Sequence, residues 1–297
     1  MRRVRRVLVA VTLLAAAGGA WWSGALPCTL VVAQPACQLV VTGGPVLDTA
    51  DLVDVRPAPS SGAARPGLLA VREPEGRLLV TTIEVGEPSG VAEWWAAVRD
   101  PDVDLVARSR LVPAGGDLDD VAEAGRARME ESQVRAAVLA LAELGLVAEP
   151  DAPAAFWPVA VTFATDEVGG PSAGLMLALS VAARVAPDDP TALPDGAASG
   201  RPPLLVAGTG ALDADGRVVG VGGVDHKLRS VVADARGGPL PDAFLLPEAD
   251  LALARRTALS RDLLLVPVRD LTDALAALES LAAGTTPEHA ELLAAAS

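Results

Sequence analysis

Ser172 follows two glycines and a proline, in the segment Gly169-Gly-Pro-Ser172, and precedes a nearly all-apolar segment that predicts a buried helix. The glycines would let a substrate backbone approach closely, and a helix N-terminus presents N–H groups and partial positive charge to a developing oxyanion. We therefore consider Ser172 a candidate nucleophile, with Gly169 and Gly170 as the oxyanion or substrate-backbone loop. The alternative is structural: Ser172 is a helix N-cap and Pro171 a helix-entry proline.

Lys227 is the only lysine in the sequence, which otherwise uses arginine. Arginine can replace a surface lysine, but it does not lose its proton in a protein. A retained lysine therefore suggests a general base, provided that an apolar pocket lowers its pKa from ~10.4 toward neutrality. The surrounding segment is largely apolar: Val219-Gly-Val-Gly-Gly-Val-Asp-His-Lys-Leu228. The alternative is the chance survival of one surface lysine.

The two histidines of the sequence, His226 and His289, are weaker candidates for the base. His289 lies near the C-terminus, and His226 neighbours Lys227 on a predicted helix, so its side chain points about 100° away. A serine hydrolase that depends on His226 stays an alternative. With two histidines and two cysteines, most zinc sites are excluded, and we predict no metal.

The overall composition excludes further classes of function. The chain is 51% apolar, enough for a sizeable core, and its net charge of −14 leaves no basic stripe that could neutralise phosphates. Nucleic-acid binding is therefore excluded. No Gly-x-x-x-x-Gly-Lys-Ser/Thr loop occurs, since the only lysine is at 227, and we predict no cofactor.

The N-terminus predicts a membrane anchor. Residues 7–26 carry no charge, and twenty helical residues span roughly 30 Å, the thickness of the hydrocarbon core. Four arginines within residues 1–6 favour a cytoplasmic N-terminus, so the rest of the chain would be extracytoplasmic, on a single-pass protein of the cell membrane. A cleaved signal peptide is the alternative, because residues 17–20 are small. Export would allow Cys28 and Cys37 to form a disulfide, although two buried thiols are also possible.

Three elements must bring Ser172 and Lys227 together: a strand over 159–165, a buried helix that follows Ser172 to 186, and a helix over 222–235. In the segment that precedes these elements, the pattern of residues 27–116 predicts a β-rich region with a hairpin over 68–85. Residues 117–283 predict the catalytic domain. It starts with a long helix whose apolar stripe is predicted to comprise Met129, Val134, Val138, Leu141 and Leu144. Residues 284–297 predict a flexible acidic tail.

Three blocks of the sequence resemble the proteolytic domain of Lon-type Ser-Lys proteases, in the order found in that family. They are Gly169-Gly-Pro-Ser-Ala-Gly-Leu-Met176, Gly208-Thr-Gly-Ala-Leu-Asp-Ala-Asp-Gly-Arg-Val218 and Val221-Gly-Gly-Val-Asp-His-Lys-Leu228. The resemblance covers roughly residues 125–282. The most similar variant is the membrane-anchored, Lon-like group whose members often carry a PDZ module.

The resemblance implies an α+β fold, that of the Lon proteolytic domain (similar to domain 2 of ribosomal protein S5), after the transmembrane helix and the β-rich region. It implies Ser172 as nucleophile, Lys227 as general base and Thr209 as the hydroxyl that orients the lysine amine. The activity would be that of a bacterial serine endopeptidase acting through an acyl-enzyme. The expected partners are unfolded or flexible protein substrates and the membrane, and homo-oligomerisation stays open.

The sequence departs from the family in three ways. It contains neither the ATPase module nor the PDZ module, so we expect ATP-independent proteolysis. It also has Gly169 where Lon proteases often carry an acid, three residues before the serine, and we assign no catalytic acid. The alternative from another class of function is an inactive exported scaffold that binds partners. Retention of both Ser172 and Lys227 argues against it.

Overall fold

The structure is a computed structural model. It describes residues 10–19, 28, 34–58, 70–165, 168–194, 196, 200–236 and 238–295. The chain divides into two compact units, one formed by residues 1–42 and 83–121, the other by residues 43–82 and 122–297. Residues 43–82 belong to the predicted β-rich region, and in the structure they cluster with the second unit.

The helices are α1 (residues 10–19), α2 (Thr49–Leu52), α3 (Val91–Arg99), α4 (Leu118–Glu143), α5 (Gly174–Val185), α6 (Val224–Asp234), α7 (Leu251–Ala254) and α8 (Leu271–Ala282). The strands are β1 (Gln38–Asp48), β2 (Val53–Pro57), β3 (Arg77–Gly86), β4 (Asp104–Ala107), β5 (Val159–Phe163), β6 (Leu205–Gly208), β7 (Ala211–Leu212), β8 (Val218–Val219), β9 (Ala243–Pro247), β10 (Leu263–Val268) and β11 (Glu291–Leu293).

The predicted transmembrane helix is wrong for the residues that can be compared. Within the described part of the chain, no helix has both the length and the apolar character needed to cross a membrane. Of the predicted segment, residues 10–19 are described, and they are helical. The remainder of the predicted segment, residues 7–9 and 20–26, lies outside the described residues.

The fold class is also corrected, from α+β to mixed α/β. Seven strands form one sheet in the order β11-β10-β9-β6-β3-β1-β4, in which β3, β6, β9 and β10 are parallel neighbours. Helices connect the parallel strands: α6 lies between β6 and β9 in the chain, and α7 lies between β9 and β10. The predicted hairpin over 68–85 is wrong because β3 pairs in parallel with the distant β6, and residues 70–76 form no strand.

The second unit has its core around α5. All twelve residues of α5 are buried, which confirms the predicted buried helix, and its only charged residue, Arg184, bonds to Ser180 Oγ at 2.6 Å. Helices α2 and α8 and strand β2 pack against it. The two-stranded β2–β5 ribbon then leads into the chain segment that carries Ser172.

Helix α4 buries most of the predicted stripe but not Val134: Met129, Val138 and Leu141 are buried, and Leu144 packs partly buried against the core. Met129, Ser132 and Ala136 are buried, whereas Val134 is 59% exposed. Val134 lies five residues after Met129, which is about 140° around a helix, so the two side chains cannot share one face. Small residues and not the apolar valine therefore form the buried face in this part of α4.

The predicted flexible tail is wrong for part of its length. Glu291–Leu293 form β11, which pairs antiparallel with β10 at the edge of the sheet. The pairing brings Leu293 opposite Leu263, and Arg255 Nε donates to Glu291 Oε2 at 2.6 Å. Of the residues in the tail, 296 and 297 lie outside the described part.

The first unit contains α3, β4 and the cysteine pair. Cys28 and Cys37 form a disulfide, with their Cα atoms 5.6 Å apart. Strand β4 pairs antiparallel with the first residues of β1. Trp94 of α3 is buried, and its indole Nε1 donates to Gln38 Oε1 at 2.7 Å.

Candidate active site

Ser172 lies in a single 3-10 turn, Pro171–Ala173, directly before α5. The chain enters this turn through Gly170, whose φ of 84° lies in the left-handed region that favours glycine. The N-cap of α5 is Ala173 and not Ser172, so the N-capping alternative is wrong. The Ser172 side chain is half-buried and faces the amine of Lys227.

Lys227 lies in the first turn of α6 and is 1% exposed. Its Nζ lies 2.8 Å from Ser172 Oγ and 2.7 Å from Thr209 Oγ1. A lysine this deeply buried is not a surface residue that survived by chance, so that alternative is wrong. The amine is within proton-transfer distance of the serine hydroxyl.

Thr209 is completely buried and is hydrogen-bonded to both Ser172 and Lys227. Its hydroxyl accepts from Lys227 Nζ and donates to the backbone oxygen of Ser172 at 3.1 Å. Its own backbone N–H donates to Leu245 O of β9 at 3.0 Å. Strand β9 therefore holds the threonine in place, and the threonine holds the lysine.

Two glycines let the segment around Thr209 approach α5 closely. A Cβ at Gly208 would lie 2.6 Å from Met176 Sδ, and one at Gly210 would lie 3.2 Å from Leu175 Cβ, both on α5. The backbone N–H of Gly210 donates to Ser172 O at 2.8 Å. The close approach therefore lets Ser172 O accept two hydrogen bonds, one from the Gly210 N–H and one from the Thr209 hydroxyl.

The environment lowers the pKa of Lys227. Burial disfavours the ammonium form and lowers the pKa from 10.5 to about 8, while the negative charge of Asp250 acts in the opposite direction. About a tenth of the lysine is then neutral at pH 7, against less than a thousandth at its ordinary pKa. This is the range in which an amine can serve as a general base.

The segment around Ser172 contacts α4, and this contact was not predicted from the sequence. Gly170 N–H donates to Gly125 O at 2.8 Å, and Ser132 Oγ donates to Pro171 O at 3.2 Å. A Cβ at Gly174 would lie 2.7 Å from Ser132 Oγ. The glycine and the serine on one face of α4 were the signal that could have revealed this contact, because small residues let backbones approach.

Gly169 and Gly170 directly precede this turn, where we predicted the oxyanion or substrate-backbone loop. Gly169 lies against α4, since a Cβ there would be 3.5 Å from Gly125 C. The N–H of Gly170 is already bonded to Gly125 O, so an oxyanion would compete with that bond. The oxyanion role of the two glycines stays a prediction.

The other candidate side chains lie elsewhere. His226 is buried on α6, and its ring Nδ1 lies 3.5 Å from Arg229 Nη1. The His289 side chain is 60% exposed, with Nε2 3.4 Å from Glu288 Oε1. Cys28 and Cys37 belong to the first unit and not to the unit that holds Ser172.

No protein-family model matches the chain, and no curated protein matches it. A half-buried hydroxyl lies beside a buried amine with a lowered pKa, and a second hydroxyl accepts a hydrogen bond from that amine. This arrangement has the groups that a serine nucleophile and a lysine base require.

Proposed function

We propose that this protein is a serine endopeptidase that acts through a Ser172–Lys227 dyad, in the manner of Lon-type Ser-Lys proteases. The observation that carries the proposal is the 2.8 Å distance between Lys227 Nζ and Ser172 Oγ, with the lysine buried and its pKa lowered to about 8. A serine nucleophile needs a base within hydrogen-bond reach, and this amine meets both the distance and the pKa requirement.

The proposed reaction has two halves. Neutral Lys227 takes the Ser172 proton as Oγ attacks the peptide carbonyl, and the ammonium then returns that proton to the leaving amine as the C–N bond breaks. The product is an acyl-enzyme in which the acyl group is an ester of Ser172. A water molecule then loses a proton to Lys227 and attacks the ester, and Ser172 Oγ recovers that proton as it leaves.

The proposal includes independence from ATP and a preference for unfolded or flexible substrates. A phosphate-binding loop of the Gly-x-x-x-x-Gly-Lys type needs a lysine, and the only lysine of this chain is hydrogen-bonded to the Ser172 hydroxyl. Without nucleotide-driven unfolding, an extended segment of an already flexible protein is the substrate that can reach a half-buried serine.

The proposal also includes an extracytoplasmic location. The Cys28–Cys37 disulfide supports it, because disulfides persist in oxidising compartments and are rare in the cytosol. Location and activity are independent parts of the proposal. A failure of the export argument would leave the Ser172–Lys227 chemistry unchanged.

The test is cleavage of an unfolded protein such as casein by the purified full chain, with and without ATP. We expect cleavage that does not depend on ATP and that disappears in Ser172→Ala. The matched control is Ser109→Ala, which removes the hydroxyl of an exposed serine and should leave cleavage unchanged. Undiminished cleavage by a rigorously purified Ser172→Ala variant would overturn the proposal.

A further inference from the structure

Asp250 lies against the turn that precedes α6. It ends a 3-10 turn, Glu248–Asp250, that follows β9. Its Oδ2 accepts from the backbone N–H of Val221 at 2.8 Å, and a Cβ at Gly220 would lie 3.2 Å from its Oδ1. The carboxylate therefore holds the chain at the point where it turns toward α6.

The position of this turn determines where α6 begins. After Val221, the chain passes through Gly223, which has a φ of 67°, and enters the helix at Val224. The first helical bond joins Lys227 N–H to Gly223 O at 3.0 Å. A shift of the turn would therefore shift the backbone of Lys227 and, with it, the amine.

Asp250 also affects Lys227 by its charge. Its carboxylate raises the pKa of Lys227, against the larger lowering by burial. The groups in contact with the amine are the hydroxyls of Ser172 and Thr209, which stay neutral. On α6 itself, Asp225 pairs with Arg229 at 3.5 Å, and the His226 ring also lies 3.5 Å from Arg229. Of the acids near the nucleophile in sequence, 166 and 167 lie outside the described residues.

We propose that Asp250 is a positioning residue for the Ser172–Lys227 pair: its carboxylate fixes the turn that begins α6 and, through it, the backbone of Lys227. The charge of the same carboxylate in addition favours the ammonium form of Lys227. This inference rests on the proposed function. In the proposed reaction the ammonium forms when Lys227 takes the Ser172 proton, and the negative charge of Asp250 stabilises that ammonium. The charge of Asp250 thus partly offsets the desolvation that lowers the pKa of Lys227.

Asp250→Asn separates the two roles, because the amide oxygen can still accept from Val221 N–H while the charge is lost. The full chain labelled with ¹³Cε-lysine gives one lysine signal, since Lys227 is the only lysine, and its pH titration reports the pKa directly. We expect Asp250→Asn to lower the midpoint by roughly half a pH unit, so that kcat/KM at pH 6 rises about threefold. The matched control is Glu248→Gln, which removes an exposed carboxylate from the same turn and should leave the midpoint unchanged.

Asp250→Ala removes both the charge and the acceptor. We expect the same change in the midpoint and, in addition, faster amide hydrogen exchange at Val221 and a lower kcat than in Asp250→Asn. A residue with a purely structural role would change hydrogen exchange but not the lysine titration. An unchanged midpoint in Asp250→Asn, or an equal change in Glu248→Gln, would overturn the inference. Because the titration needs no turnover, it tests Asp250 even if the cleavage assay fails.

Discussion

Thr209 Oγ1 donates to the backbone oxygen of Ser172 at 3.1 Å, so the proton of this hydroxyl points away from Lys227. Its lone pair is then left to accept one N–H of the lysine amine at 2.7 Å. A neutral amine has two N–H groups and one lone pair. With one N–H held by Thr209, the lone pair can face Ser172 Oγ, which is the orientation a general base requires.

The first prediction removes this orienting hydroxyl. Thr209→Val keeps the shape of the side chain but leaves the amine without its acceptor, so we expect kcat to fall about 10- to 100-fold, as for a hydrogen bond of roughly 1.4–2.8 kcal/mol. Steady-state kinetics on a peptide substrate measures the loss. Thr209→Ser, which retains the hydroxyl, should stay within a few-fold of wild type. A fully active Thr209→Val enzyme would show that the bond has no part in catalysis.

The second prediction concerns the identity of the base. Lys227→Arg keeps the positive charge, but a guanidinium cannot accept the serine proton, so we expect a loss of about 10²- to 10⁴-fold in kcat. Lys227→Met should lose as much, which guards against an effect of the larger arginine. Circular dichroism establishes that each variant is folded. His226→Gln should retain substantial activity, and the opposite pattern, with His226 essential and Lys227→Arg active, would assign the base to the imidazole.

The third prediction follows from the lowered pKa of Lys227. Because burial lowers the pKa of Lys227 to about 8, kcat/KM should rise with pH and level off above a midpoint near 8. A solvent-exposed lysine would give a rise near its ordinary value, more than two pH units higher. A pH–rate profile measured between pH 5 and 10 distinguishes them. The opposite trend, a rate that falls between pH 7 and 9, would contradict a lysine base.

The pairing of Ser172 with Lys227 could be predicted from the sequence, because the chemistry proposed for them depends on residue type. A serine after Gly-Gly-Pro and the only lysine of the chain are both visible without coordinates. Asp250 could not be found in this way, because its contact with Val221 arises where the segment after β9 passes the turn before α6. No local pattern marks such a contact between segments 29 residues apart.

The errors in the predicted fold have a related cause. The apolar segment around Leu78 was correctly predicted as a strand, but its neighbours in the sheet are β1 and β6. Strand β6 lies more than 120 residues later, and the segment directly before β3 is not its partner. Parallel pairing gives no turn signal, whereas a hairpin does, so local patterns favour the wrong partner. Val134 shows the same limit: hydrophobicity alone placed it in the core, although small residues form the buried face there.

The fourth prediction tests the close approach beside Thr209. Gly208→Ala would place a Cβ 2.6 Å from Met176 Sδ and 2.9 Å from Leu245 O. The sulfur can move, but the Leu245 oxygen of β9 cannot move without disturbing the hydrogen bond that it accepts from the Thr209 N–H. We expect a loss of about 1–3 kcal/mol in the free energy of unfolding and a lower kcat. The matched control is Gly222→Ala, where no atom lies within 4 Å, and an equal loss there would refute the steric explanation.

The last prediction concerns stability, and its basis is the difference between the native and unfolded pKa of Lys227. The native pKa is about 8, and the ordinary value is 10.5. Between these values the unfolded chain binds more protons than the native protein, so the free energy of unfolding should increase with pH. Below pH 8 both states are protonated, and this contribution is constant. The burial of the ammonium then costs about 3 kcal/mol.

Lys227→Met removes the titrating group and so isolates this effect. We expect the stability of wild type relative to Lys227→Met to increase by about 3 kcal/mol between pH 7 and pH 11, with most of the change between pH 8 and 10.5. Urea denaturation of both proteins at several pH values measures the difference in the free energy of unfolding. The variant lacks the hydrogen bonds of the lysine amine, and this loss adds a constant offset that does not depend on pH. Arg236→Met, which removes an exposed positive charge just after α6, is the control and should show no comparable change relative to wild type. A constant difference between wild type and Lys227→Met from pH 7 to 11 would mean that Lys227 titrates alike in both states, and the lowered pKa on which the lysine base depends would be wrong.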